Sequence, residues 1–276
     1  NPTTANAGLD QTVCATTATL AGNNPVVGTG TWTLIAGTGT ITTPSAFNSG
    51  ITGLGVGANT FRWTITNGVC PPSFDDVIIT RNANPTTANA GLDQTVCATT
   101  ATLAGNNPVV GTGTWTLIAG TGTITTPSAF NSGITGLGVG ANTFRWTITN
   151  GVCPPSFDDV IITRDANPSA SNAGPDQTIC ISNPTATMSG NTPGIGAGLW
   201  TLISGTGTLS SPSSPNSPVT GLGLGMNVFE WRITNGTCPY SADTMVIYVD
   251  NVPTVSLAGP DQAICENNPV ATMAAN

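Results

Sequence analysis

The chain has no lysine and no histidine, and sets five basic residues against thirteen acidic ones, a formal net charge of −8 over 276 residues. The five cations are Arg62, Arg81, Arg145, Arg164 and Arg232. So few cations cannot neutralise a run of phosphates, which argues against a nucleic-acid partner. Without histidine or lysine there is no imidazole base, no Schiff-base amine and no histidine metal ligand. A Ser-His-Asp set is therefore impossible, and Cys-x-x-Cys metal spacings are absent. Charged residues are 7% of the chain, against about 25% in ordinary globular domains. No apolar run reaches the roughly 18 residues that span a membrane, so no membrane span is expected. No segment carries a helical period. No leader precedes Asn1, and the chain reads as a processed product or an internal stretch of a longer protein.

Glycine (34), proline (21) and abundant threonine describe short strands joined by tight turns. Self-comparison then sets the organisation. Residues 1–83 are repeated as 84–166 with a single difference, Asn82 against Asp165. A diverged third copy spans 167–251, and 252–276 carries the opening of a fourth. Each full repeat suits one small domain with a modest core.

The cysteines fall at matching places: Cys14 and Cys70, Cys97 and Cys153, Cys180 and Cys238. Three such pairs predict one disulfide inside each repeat, closing a loop of about 57 residues for roughly 4 kcal/mol. Cys265 matches Cys14 and has no in-repeat partner in this sequence. Reduced, buried cysteines of a cytosolic protein are the alternative; oxidation implies an extracellular or periplasmic home.

Period-two alternation marks the strands. Thr31–Leu34 turns Trp32 and Leu34 to one face. Thr60–Thr66 turns Phe61, Trp63 and Ile65 inward, Asn67-Gly68 supplies a turn, and Ser73–Arg81 brings in Val77 and Ile79. Shorter strands are expected near Thr12–Cys14, Thr17–Ala21, Gly39–Thr42 and Ser49–Thr52. About seven short antiparallel strands, a buried Trp and a disulfide predict an all-β chain of tandem Ig-like β-sandwiches. The cysteines lie near strand ends, so the bridge is expected to staple one pole of the sandwich.

The repeat motifs N-A-G-x-D-Q-T-[VI]-C, A-T-[LM]-[AS]-G-N, G-x-W-T-L-I-[AS]-G-T-G-T, T-G-L-G and W-x-I-T-N-G-x-C resemble the PKD-like/Ig-like repeats of very large Bacteroidetes surface proteins. These include gliding-motility-associated adhesins exported by the type IX system. The resemblance covers the whole chain and implies a secreted, surface-attached, multi-domain protein. It brings no catalytic residue with it. The C-terminal sorting domain of such proteins is not in this sequence, so the export route rests on the resemblance.

Candidate chemistry is thin. Asp10, with Asp75 and Asp76 near the last strand, forms a candidate calcium set at a domain end; turn capping by Asp10 and a solvated Asp75-Asp76 edge is the plainer reading. The third repeat weakens the calcium set, because Asp76 becomes Thr244. Paired carboxylates for glycoside hydrolysis have no cleft to serve. The Gly37–Thr40 and Gly53–Gly57 runs open no helix and read as turns, not phosphate loops. Alternating Thr29, Thr31 and Thr33 read as an ordinary outer strand face, ahead of an ice or glycan surface. The recurring tryptophans Trp32/Trp63, Trp115/Trp146 and Trp200/Trp231 are phased inward and read as core. Arg62 becomes Glu230 and Thr64 becomes Arg232, which marks those positions as free surface. Asp243-Thr244-Met245 fits the short O-glycosylation pattern of Bacteroidetes by resemblance, whereas the sequon Asn235-Gly236-Thr237 means nothing in a bacterium lacking that pathway.

These readings converge on a non-enzymatic stalk or filament segment of a secreted cell-surface adhesin, each sandwich adding roughly 35–45 Å. No cofactor is implied. The expected partners are neighbouring repeats, other copies in a fibre through sandwich edges, and surface glycans. The alternative is a carbohydrate-binding or spacer module of a secreted polysaccharide-degrading enzyme.

Overall fold

A computed structural model describes residues 1–275, and no helix occurs among them. The chain divides into two compact units, Asn1–Arg164 and Asp165–Asn276. The first holds two separate cores and the second holds one, each core drawn from a single repeat.

The first repeat has seven strands: β1 (Gln11–Val13), β2 (Ala18–Thr19), β3 (Thr29–Ala36), β4 (Thr40–Ile41), β5 (Gly50–Thr52), β6 (Gly57–Asn67) and β7 (Cys70–Arg81). They form a four-stranded sheet, β1-β7-β6-β3, facing a three-stranded sheet, β2-β5-β4. Four of the five ladders are antiparallel, as the alternation predicts. The exception is β1, which runs parallel to β7 and pairs Gln11 with Ile79 and Val13 with Arg81. Some sixty residues separate these two strands, so no hairpin dictates their direction.

The core follows from the period of two. Trp32, Phe61, Trp63, Ile65, Val77 and Ile79 come from the larger sheet; Leu20, Ile51 and Leu54 meet them from the opposite side. Trp32 and Trp63 are cross-strand partners whose rings lie 5.0 Å apart at 37°. Each buried indole N–H is satisfied, Trp32 Nε1 donating to Phe47 O and Trp63 Nε1 to Asn23 O, both at 3.2 Å. Gly30 stands against the Trp63 ring, which occupies the space a Cβ would need. Leu34 departs from its expected inward position and is 39% exposed. The β3–β6 register slips between Leu34 and Ala36, and this irregularity carries the strand end away from the core.

Each repeat buries two polar side chains, a serine (Ser49, Ser132, Ser217) and an asparagine (Asn59, Asn142, Asn227). Asn59 accepts a hydrogen bond from Thr38 N at 2.8 Å and donates from Nδ2 to the carbonyls of Gly55, Gly57 and Ile79. Such a network holds only if complete, because each orphaned buried partner costs about 1–3 kcal/mol. Asn227 makes the same four contacts in the third repeat. Asn227→Ala is therefore expected to destabilise that sandwich by about 2–4 kcal/mol in chemical denaturation, with Asn216→Ala, at an exposed turn, near neutral.

The second repeat (Gln94 to Arg164) and the third (Gln177 to Asp250) reproduce both sheets and the parallel pair. Met188 and Met245 take the buried places of Leu20 and Val77. From Val252 to Ala275 the residues are exposed, with one isolated bridge between Cys265 and Asn268.

Candidate functional site

The parallel β1–β7 pairing decides where the cysteines lie. Val13 sits beside Arg81, so Cys14 emerges where the last strand leaves the sandwich. Asn82 N donates to Val13 O at 2.9 Å, extending that ladder into the linker. Arg81 fixes the corner by donating to Cys14 O and Leu54 O at 3.3 and 3.1 Å. Cys70 begins β7 at the other end of the same strand, eleven residues earlier. At about 3.3 Å per residue the two cysteines of one repeat are roughly 35 Å apart, whereas a disulfide needs Cα atoms within about 7 Å.

The expected in-repeat bridges are therefore corrected. Cys14 is bonded to Cys153 of the second repeat, with Cα atoms 4.9 Å apart and 139 residues between them in sequence. Neither Cys14–Cys70 nor Cys97–Cys153 forms. Cys70, Cys180 and Cys265 are the free thiols among the described residues, so Cys180 is not joined to Cys238 either. The exposed Cys180 thiol accepts a hydrogen bond from Ser182 Oγ at 3.3 Å, which lowers its pKa.

Around the bridge, the second repeat folds back on the linker that leads into it. Asn150 Nδ2 donates to Ala83 O at 2.7 Å, and Gly151 lies directly against Asn82. The third repeat builds the same corner, with Asn235 Nδ2 donating to Ala166 O at 2.7 Å. Here the only difference between the first two repeats finds its reason. Asp165, in place of Asn82, accepts both the N–H and the hydroxyl of Thr237 at 2.7 and 3.0 Å. The second repeat has Val152 where the third has Thr237, and Val152 offers no hydroxyl. Sequence reading missed these junction residues; the recurring Asn-Gly-x-Cys at a fixed distance from the linker was the available signal.

The same eight residues, Asn-Gly-Val-Cys-Pro-Pro-Ser-Phe, fold in two ways. In the first repeat they extend the β6–β7 hairpin, pairing Asn67 with Cys70. In the second, Asn150 to Cys153 close a turn through Cys153 N to Asn150 O at 3.1 Å, and Cys153 is buried. Local sequence is identical, so the linker contacts and the disulfide select the conformation.

The candidate calcium carboxylates do not converge. Asp10 accepts from Ile78 N and Asp75 accepts from Ala7 N, both at 2.8 Å, so together they latch the opening segment onto β7. Asp93 and Asp158, then Asp176 and Asp243, repeat both latches. Asp10 thus caps no local turn, and Asp75 is no solvated edge. Asp76 instead forms a two-pronged ion pair with Arg62 at 2.7 and 2.9 Å, and the Arg62 hydrogen bond holds its pKa below the usual carboxylate value. Among the described residues no cluster of three acidic or cysteine side chains is placed for a metal ion.

The rest of the Asn-Ala-Gly-x-Asp-Gln motif is also structural. Gln11 Nε2 donates to Thr19 O at 2.9 Å. Gly8, at a φ of 86°, lies where a Cβ would strike the Ala21 carbonyl. The supposed free surface is a compensated pair: Arg62 stacks 4.2 Å over Phe74, and in the third repeat Arg232 stacks 4.2 Å over Tyr240 while pairing with Glu230. Cation and ring have both moved two residues toward the hairpin tip. All six tryptophans are at most 2% exposed. A shallow groove of about 310 Å³ is lined by Ala258, Gly259, Pro260, Asp261, Gln262, Ala271 and Met273. It is the open counterpart of a sandwich core: Met273 and Ala258 correspond to Met188 and Ala173, which are buried in the third repeat.

No protein-family model and no curated protein matches the chain. Among solved structures, a three-Ig-domain segment of titin, in a Glu-to-Ala variant, is 11% identical over 88% of this chain and 96% of its own, with a TM-score of 0.50. Extracellular domains 3–5 of Drosophila OTK are 9% identical over 91% of this chain and 97% of theirs, with a TM-score of 0.43. The PKD domain of the KIAA 1837 protein is 24% identical over 34% of this chain and 95% of its own, with a TM-score of 0.27. At 11% identity the likeness to the titin segment is one of fold alone, that of tandem Ig-like β-sandwiches.

Proposed function

We propose that the chain is a non-enzymatic structural segment of an extracellular, surface-attached adhesin, a string of sandwiches bounded near residues 83, 166 and 251. The observation that carries this reading is the junction itself. A disulfide, a linker carbonyl bond and a packed glycine fasten one sandwich to the next where a simple flexible tether would otherwise suffice. Buried tryptophans and carboxylates committed to the protein's own N–H groups leave little for catalysis or sugar stacking. The attachment to a cell surface, the Bacteroidetes setting and the type IX route belong to this proposal through the repeat motifs. Negative-stain electron microscopy of the unreduced full chain tests it. Thin rods with a spacing of roughly 35–45 Å per sandwich are expected; collapsed particles or freely hinged beads would overturn it.

A further inference from the structure

We propose that the cross-repeat disulfide is a mechanical bypass: tension along the chain passes from Cys14 directly to Cys153, so residues 15–152 carry none of it through their own backbone. The inference rests on the structural reading above and deepens it. It follows from connectivity. Between Cys14 and Cys153 lie 139 residues of sequence but a single sulfur bridge. Those residues include β2 to β7 of the first repeat and every strand of the second but its last, Ser156–Arg164, with the core tryptophans Trp32, Trp63, Trp115 and Trp146. A chain pulled at its ends can lengthen only through residues outside the bridge. Fully extended, the withheld segment amounts to roughly 460–500 Å at about 3.3–3.6 Å per residue. An in-repeat bond would have shielded one sandwich and left each linker and each neighbour in the line of force.

The test is single-molecule stretching of the full chain carrying Cys97→Ser and Cys238→Ser, held by its two ends, with and without reductant. Reduction is expected to add roughly 460–500 Å of released contour. No added length, or about 185–200 Å, the length that a Cys14–Cys70 bond would withhold, overturns the bypass. A second measurement on the unsubstituted chain guards against a variant that fails to fold. Cleavage after the five arginines under non-reducing conditions should join peptide 1–62 to 146–164. Linkage of 1–62 to 63–81 overturns the proposal. Either result leaves the rod-like reading to its own experiment, because rods with in-repeat bonds would fail this test alone.

Discussion

Gly198→Ala is expected to destabilise the third sandwich by at least about 3 kcal/mol, an unusually large effect for one added methyl group. The Cβ would fall within the ring of Trp231, against Cζ2 and Cη2. That ring has no room to retreat: it is wholly buried, packs 5.1 Å from Trp200, and touches Gly190 on its other flank. Its indole N–H is also held by Asn191 O at 3.2 Å. Gly221→Ala is the matched control. Its φ of 67° costs an alanine about 1 kcal/mol, yet nothing lies within 4 Å of the new methyl group. The measurement is the denaturant midpoint of the third sandwich, followed by fluorescence of Trp200 and Trp231. Equal losses in the two variants would show that the tight glycine–tryptophan contact does not constrain the fold.

Removing the bridge should have a comparable effect spread over two domains. Closing 139 residues is worth about 5 kcal/mol on the chain-entropy relation. The double variant Cys14→Ser, Cys153→Ser is expected to lose about that much and to melt its first two sandwiches earlier in calorimetry than the oxidised chain. Cys70→Ser, which removes only a free thiol, should leave the transition unchanged. A loss on Cys70→Ser as large as on the double variant would mean that Cys70 takes part in the stabilising bond in solution.

Much of the fold could be read directly from the residues. The repeat, the two-residue period of Thr60–Thr66 and the spacing of turns placed the strands and the inward tryptophans, because half-buried strands must alternate. Leu34 obeyed the same alternation and was misplaced, since a register slip is written in the pairing of two strands and not in either one. The cysteine partners were hidden for a related reason. When neighbouring repeats are nearly identical, Cys14 stands at equivalent positions relative to Cys70 and Cys153 in any pattern of motifs. Only the parallel pairing of Gln11–Val13 with Ile79–Arg81, 68 residues away, puts Cys14 at the exit of its sandwich. The acidic residues were visible as a set, but their partners are backbone N–H groups of Ala7 and Ile78, which no side-chain motif announces. Asn-Gly-Val-Cys-Pro-Pro-Ser-Phe, identical in two repeats and folded differently in each, marks the limit of any local reading.

The parallel pair has a last consequence, for the order in which the molecule is made. A chain emerging from its N-terminus presents Cys70 to Cys14 long before Cys153 exists, so the wrong partner always arrives first. If oxidation outran folding, the near thiol would win. Once β1 has zipped against β7, the two sulfurs of the first repeat stand a whole strand length apart, and Cys14 must wait, reduced, for the next sandwich to close over its entry loop. Three residue pairs at one edge of a sheet thereby act as a timing device, deferring the cross-link until there is a correctly folded neighbour to receive it.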